Sequence, residues 1–314
     1  MTFSSAPDGP IVAIVGATSA GKSALAMGIA SRIGAEIVNA DSRQVYRFMD
    51  IGTGKPSLDD RATVPHLVYD MADPDEGFSL GTYCALASEA IAAVQKRGRL
   101  PLLVGGTGQY VWSVLERWHV PEVPPDVNFR REMEHRSRTE GSHVLHDELR
   151  VVDPAAANRI QPTNVRRVIR ALELHRVTGA LPSGILWSKE GVLPQTLILG
   201  VGMSRTLLFA RADARVDRMV VLGFPDEARA LLDRGYQPSL PSMSSIGYRE
   251  MYAYVMGECD LVTSIGRTKN ETHRLIRRQN TWFRATDERI SWLDGAAQDR
   301  ILDEALARIQ GVLG

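Results

Sequence analysis

Gly16-Ala17-Thr18-Ser19-Ala20-Gly21-Lys22-Ser23, entered from the apolar run Ile11-Val12-Ala13-Ile14-Val15, decides the fold of this chain. The octapeptide matches the phosphate-cradling pattern G-x-x-x-x-G-K-[ST] in full. The run before it predicts a buried strand. The segment after it predicts a helix with Leu25, Ile29 and Ile33 on one face and Gly34 as its stop. Strand, glycine loop and helix N-terminus together offer backbone N–H groups and the Lys22 ammonium to a di- or triphosphate. The Ser23 hydroxyl is placed to meet a Mg²⁺ ion held against the phosphate oxygens. A glycine turn that merely joins strand to helix is the bland alternative, and the full match in this context argues against it.

Working outward, strand and helix patterns alternate from Ile11 to Trp118. Glu36-Ile37-Val38-Asn39-Ala40 reads as a strand that should neighbour the first, ending in Asp41-Ser42. A helix is expected from about Gly81, and Leu100-Pro101-Leu102-Leu103-Val104 reads as a buried strand broken by Gly105-Gly106. This rhythm predicts parallel strands with ligands at their carboxyl ends. Pro121, Pro124 and Pro125 interrupt it. From about Asp126 to Gly179 only helices are expected, with Ser142 and Asn164 as caps and Thr178-Gly179 as a stop. A strand returns at Thr196–Val201, Ser204 is placed to cap the next helix, and a late short strand is expected near Ile290-Ser291-Trp292. The fold class is therefore α/β, a P-loop NTPase-like parallel sheet core with an all-helical insertion and a helical C-terminal region. Residues 8–120 form the first part of the core, 121–194 the insertion, and 195–314 the completion of the core.

The chain has 314 residues, 44% hydrophobic and 24% charged, with a formal net charge of zero, so any basic surface must be local. Cys84 and Cys259 lie far apart in no metal-binding or disulfide pattern, which fits a reduced cytoplasm. Met1 to Pro10 has neither a basic n-region nor an apolar core, and no segment reaches the length of a membrane span. His143 and His146 stand three apart without partners for a metal and read as surface or core residues.

Four features carry chemistry. The strand at Leu100–Val104 ends in Gly105-Gly106-Thr107-Gly108 where many P-loop kinases place an acidic, Mg²⁺-ordering residue. Those glycines allow close backbone approach and Thr107 adds a hydroxyl, although a simple turn has the same composition. Asp41 sits at a strand's carboxyl end, either as a general base or as the head of an Asx turn or a cap. Arg211, Arg215 and Arg218 recur at helical spacing and suit a pyrophosphate, unless Asp213 and Asp217 make them a solvated face. Finally, Arg166, Arg167 and Arg170 flank one helix stripe. Arg267, Lys269, Arg274, Arg277, Arg278 and Arg284 crowd another, with Gln279, Asn280, Trp282 and Phe283 between them. Cations interleaved with aromatics suit an RNA backbone with unpaired bases, and a solvated basic helix is the competing reading.

Taken together, these stretches resemble the bacterial tRNA dimethylallyltransferases, the tRNA isopentenyltransferase family. The likeness runs through Gly16–Ser23, Asp41-Ser42-Arg43-Gln44-Val45-Tyr46, Met49–Pro56, Pro65-His66 and Leu103–Tyr110. It continues through Asp153-Pro154, Arg159-Ile160, Pro162, Arg170-Ala171-Leu172-Glu173, Gly247-Tyr248-Arg249 and Arg277–Trp282. Ala17 and Ala20 stand where the family more often has Pro and Ser, and Ser244-Ser245 replaces a more basic pair.

The resemblance implies prenyl transfer from dimethylallyl diphosphate to N6 of adenosine 37 in tRNAs that read codons beginning with U. It implies that Gly16, Ala17, Thr18, Ser19, Ala20, Gly21, Lys22 and Ser23, with Arg215, hold the pyrophosphate, with Thr18 or Ser23 near Mg²⁺. Asp41 would take a proton from the amine, Thr107 would bond the bridging oxygen, and Arg211 would stabilise the leaving charge. The tRNA anticodon stem-loop would meet Asp41, Ser42, Arg43, Gln44, Thr107, Arg130, Arg166, Arg167, Arg170, Gly247, Tyr248, Arg249, Arg277, Arg278, Gln279, Trp282 and Arg284. A cytoplasmic monomer with no membrane partner is expected. The rivals are an isopentenyltransferase acting on free adenine nucleotides, a P-loop small-molecule kinase, and a nucleotide switch without chemistry of its own.

Overall fold

The computed structural model describes residues 9–121, 123–186, 189–297 and 300–313. Most of the N-terminal segment Met1 to Pro10 (residues 1–8) and the last residue of the chain (314) lie outside the described residues. The described residues fall into two compact units. One comprises the described residues of 9–115 and 192–313, and the other those of 116–191.

The first unit is built on β1 (Ile11–Val15), α1 (Lys22–Ile33), β2 (Glu36–Asn39), α2 (Leu58–Thr63), β3 (His66–Leu67), α3 (Leu80–Lys96), β4 (Pro101–Gly105) and α4 (Gly108–Leu115). All five residues of β1 and of β4 are buried, as strands covered on both faces require. Helix α1 turns Leu25, Ala26, Ile29 and Ala30 inward and stops where Gly34, left-handed at φ 70°, returns its N–H to Ala30 O. Between them lies a core of Val12, Ile14, Leu25, Ile29 and Leu102, each fully buried aliphatic side chain contributing about 1.5–3 kcal/mol. Ser79 caps α3 by accepting from Thr82 N, and this helix buries Tyr83, Ile91 and Val94.

The second unit holds α5 (Val127–Thr139), α6 (Ser142–Val152), α7 (Pro154–Arg159), α8 (Val165–Thr178) and α9 (Pro182–Leu186). Its core is its own, with Phe129, Leu145, Leu149, Val168 and Leu172 at the centre. Ser142 is the first residue of α6, not its cap. Gly141, at φ 99°, holds the N-cap position in a conformation that serine adopts only with strain. Asn164 does precede α8, but its side chain makes no capping bond.

The first unit then resumes with β5 (Thr196–Gly202), α10 (Arg205–Val221), α11 (Phe224–Asp233), α12 (Tyr248–Val255), α13 (Leu261–Trp282), β6 (Ile290–Asp294) and α14 (Ile301–Leu313). Ser204 caps α10 through Leu207 N, and Asp260 caps α13 through Thr263 N. Six parallel strands run in the order β3-β2-β4-β1-β5-β6. One expectation is corrected here: β2 does not neighbour β1. The chain crosses past a gap that β4 later fills, pairing Ile14 with Val104 on one side and Asn39 with Val104 on the other. The carboxyl ends of β1, β4 and β2 consequently stand side by side, which aligns the phosphate loop, Gly105–Thr107 and Asp41. Among the described residues no helix is long and apolar enough to cross a membrane.

Candidate active site

The phosphate loop leaves β1 at Gly16 and enters α1 at Lys22. The first N–H groups of α1 have no intrahelical acceptor, so they are available to an anion. Lys22 is half-buried, its Nζ donating to Ala17 O at 2.8 Å. Burial lowers its ammonium from the ordinary 10.5 to about 8, with Asp41 pulling the value up and Arg215 pushing it down. Burial likewise lowers the Arg215 guanidinium, against the upward pull of the same Asp41. Lys22, Arg215 and Asp41 therefore share one electrostatic site: two cations short of hydration beside one carboxylate.

The carboxylate is held at a fixed height. Asn39, fully buried at the end of β2, accepts from Asp41 N at 2.8 Å and donates to Asp41 O at 3.1 Å and Val68 O at 3.0 Å. Tyr83 OH in turn donates to Asn39 O at 2.9 Å. Asp41 Oδ1 accepts from Arg43 N at 2.9 Å, so the residue does head an Asx turn. That turn uses one oxygen, and the other is left for chemistry. Turn and base are compatible readings of the same carboxylate.

Gly105 lets β4 close against this turn, since a Cβ there would fall 2.0 Å from Ala40 O. Thr107 N donates to Ala40 O at 3.2 Å, and Thr107 Oγ1 accepts from Ser42 N at 3.0 Å. The threonine thus ties the end of β4 to Asp41-Ser42. Opposite, α10 presents Arg211, with Nη1 donating to Gly295 O at 3.3 Å and Nη2 beside Gly21 at the loop's entry to α1. Arg215 Nη2 donates to Thr53 O at 3.2 Å. Arg218, two turns from Arg211, is exposed and lines a cavity of about 610 Å³ that Arg215 also reaches.

The residues expected to face RNA divide into two groups. Arg277, Arg278 and Arg284 are exposed on and just beyond α13, while Arg166 and Arg167 are exposed on α8 of the helical unit. Arg249 is also exposed, though paired with Glu250. Arg43 extends toward Pro241 O and Ser244 Oγ, and Ser42 is half-buried at the turn.

The second group makes contacts within the protein, and of it Tyr248, Gly247 and Gln279 are buried and so corrected from surface contact to support. Tyr248 is 0% exposed and donates its hydroxyl to Glu227, and Gly247 is buried as the N-cap of α12. Gln279 is buried, accepting from Thr18 N at 2.8 Å and donating to Gly106 O at 3.0 Å. This also takes the Thr18 N–H out of the set available to phosphate. The Trp282 ring packs against Gly108. Gln44 Nε2 is spent on Thr53 O and Gly54 O. In the helical unit, Arg130 and Arg170 both pair with Glu173, which is 0% exposed. Burial raises that carboxyl, but the two guanidinium bonds and the Asp126 N–H more than offset it and leave it below the usual range. His146 is a core residue with Nε2 on two backbone carbonyls, and His143 is exposed.

Asn39, Glu227 and Tyr83 escaped the reading of the sequence. Asn39 had a usable signal: a polar residue inside the run Ile37-Val38-Asn39-Ala40 must find partners when that strand is buried. Glu227 had none, because it meets its partners from some 175 residues away in sequence.

The profile of a family described as IPP transferase matches residues 44–286, and that of a family described as Isopentenyl transferase matches residues 9–66. A tRNA dimethylallyltransferase of Chloroflexus aurantiacus is 52% identical over 275 residues, 87% of this chain and 92% of its own length. One from Herpetosiphon aurantiacus is 43% identical over 98% of this chain and 96% of its own. The solved structure of a full-length tRNA isopentenylpyrophosphate transferase from Bacillus halodurans is 39% identical, with a TM-score of 0.71 over 97% of this chain and 96% of that one. A eukaryotic dimethylallyltransferase described as acting on tRNA superposes with a TM-score of 0.81 at 26% identity, over 96% of this chain and 78% of its own.

Proposed function

The chain belongs to the IPP transferase family, and from that membership we propose that it transfers the dimethylallyl group of dimethylallyl diphosphate to N6 of adenosine 37 in tRNA. The observation that carries this reading is the grouping of Lys22 and Arg215 with Asp41 at the adjacent carboxyl ends of the sheet. A diphosphate needs the two cations, and an attacking amine needs the base. A kinase would need neither Asp41 beside the phosphate loop nor a strand ending in Gly105-Gly106-Thr107.

In this reading the phosphate loop, Lys22 and Arg215 hold the pyrophosphate, and Arg211 meets charge as it builds on the departing oxygen. The exocyclic nitrogen attacks the allylic C1, the bond from C1 to the bridging oxygen breaks, and pyrophosphate leaves. Asp41 accepts the amine proton. An aromatic amine is a weak nucleophile, so rate comes from stabilising the leaving group and aligning the pair. Thr107, fastened to Ser42, holds that alignment and lies beside the bridging oxygen.

Among the described residues no group of three His, Cys, Asp or Glu could hold a metal. In this reading the hydroxyls of Ser23 and Thr18 would hold a Mg²⁺ ion arriving with the diphosphate. Such an ion would neutralise charge on the pyrophosphate. The target base must leave its stack to reach Asp41, as enzymes acting on a base require. The protein is read as a cytosolic monomer acting on tRNAs whose codons begin with U.

Incubation with labelled dimethylallyl diphosphate and either an anticodon stem-loop or AMP tests the proposal. Label should enter the stem-loop at adenosine 37. Label in AMP alone would make the protein a free-nucleotide isopentenyltransferase, and ATP hydrolysis without prenyl transfer would make it a kinase.

A further inference from the structure

Three consecutive backbone N–H groups converge on one carboxylate outside the catalytic set. Glu227 Oε2 accepts from Asp50 N at 3.0 Å and Ile51 N at 2.7 Å, and Oε1 accepts from Gly52 N at 3.0 Å. Tyr248 OH donates to Oε1 at 2.6 Å. Successive N–H groups of this kind form an anion-binding concavity, and here the anion is the protein's own side chain, delivered by α11. Further along the loop Gln44 Nε2 holds Thr53 O and Gly54 O, so Glu227 secures its first half and Gln44 its second.

The next two residues of the loop explain the anchor. Thr53 O accepts from Arg215, and Gly54, at φ 62°, leaves the space the guanidinium occupies, since a Cβ there would fall 2.0 Å from Arg215 Nη2. The loop is thus the wall against which Arg215 is set, and the guanidinium held there lies close enough to Lys22 and Asp41 to couple with their charges. We infer that Glu227 is a positioning residue for the diphosphate site: by holding residues 50–54 it fixes the Arg215 guanidinium where the phosphate oxygens arrive. The inference rests on the reading of Lys22 and Arg215 as diphosphate ligands.

The test is calorimetric titration of inorganic pyrophosphate with Mg²⁺ into the full chain, its Glu227→Ala, Glu227→Gln and Arg215→Ala variants, and the Glu227→Ala/Arg215→Ala double variant. Glu227→Ala should weaken pyrophosphate about tenfold, and Glu227→Gln by less, because one oxygen still accepts. In the Arg215→Ala background the loss of Glu227 should cost almost nothing, since both changes remove one interaction. Anticodon stem-loop affinity should not move. Unchanged pyrophosphate affinity in Glu227→Ala, or a full additive loss in the double variant, overturns the inference. If Glu227→Ala does not fold, Glu227→Gln alone and combined with Arg215→Ala gives the same comparison. Wild-type protein that binds pyrophosphate but transfers no prenyl group would refute the transferase reading and leave the role of Glu227 to be decided by the titrations. Wild-type protein that binds no pyrophosphate overturns both.

Discussion

Gln279 holds the backbone N–H of Thr18 at 2.8 Å, and through its other amide atom it also holds Gly106 O at 3.0 Å. One side chain from α13 therefore sets the spacing between the phosphate loop and the end of β4. Gln279→Ala would leave the half-buried Thr18 N–H and the buried Gly106 carbonyl without this partner, at a cost of about 1–3 kcal/mol. We expect turnover to fall with stem-loop affinity unchanged, because Gln279 is buried. Gln279→Glu keeps the acceptor for Thr18 but sets an anion against Gly106 O, so it should do no better than alanine. Steady-state turnover beside stem-loop titration checks both variants, and a loss confined to RNA affinity would return Gln279 to the contact surface.

Lys22 makes diphosphate binding depend on pH. Its ammonium is lowered by burial to about 8 in the folded chain, against 10.5 ordinarily. In the free protein the folded state then holds the proton less tightly than the unfolded chain. This group therefore favours folding above 10.5, and that contribution disappears as the pH falls through 8. Binding an anion reverses the depression, so complex formation above pH 8 must take up a proton. Calorimetry in two buffers of different ionisation enthalpy should show most of a proton taken up at about pH 8.5. Uptake should be near zero at neutral pH. Lys22→Arg, always charged, should abolish the uptake, and uptake that persists in that variant would assign it to another group.

Asp41→Asn keeps the Oδ1 acceptor for Arg43 N and removes the base together with the negative charge beside Lys22 and Arg215. Turnover should drop by about 10²–10⁴-fold with stem-loop affinity preserved. Asn39→Ala leaves the base but releases the clamp on its backbone, and should cost less, about tenfold. Near-normal turnover of Asp41→Asn would take the residue out of the base role. An effect of Asn39→Ala on stability alone would make that asparagine a strand-end residue without influence on the chemistry.

The parts of the site that could be read in the sequence are those set by local spacing. The loop at Gly16–Ser23, the helix behind it and the arginines of α10 each lie on one element, where period and cap chemistry fix what faces what. What could not be read depends on pairs distant in the chain. The place of β4 between β1 and β2 is decided by strand pairing, which no local pattern reports. The same holds for Tyr248, Gln279, Arg130 and Arg170, read as RNA contacts. An aromatic residue or a cation looks alike in sequence whether it meets solvent or a carboxylate; Glu227 holds Tyr248 in the core, and Glu173 pairs with Arg130 and Arg170, whose side chains stay partly exposed.

Arg277 and Arg278 remain exposed on α13 after that sorting, with Arg284 just beyond the helix. The Arg277 guanidinium also lies over the Phe209 ring at 5.6 Å, which orients it on the exposed face of the helix. If these cations meet RNA phosphates, each contributes through counterion release, not through base reading. Arg278→Ala should then weaken stem-loop binding equally for matched and mismatched loops and lower the slope of log affinity against log salt by about one. Arg277→Ala should do the same with a small added loss from the ring contact. Binding isotherms at four salt concentrations give the slope directly. An unchanged slope with weaker binding would show that the arginine acts by packing, and unchanged binding would place the RNA on another face.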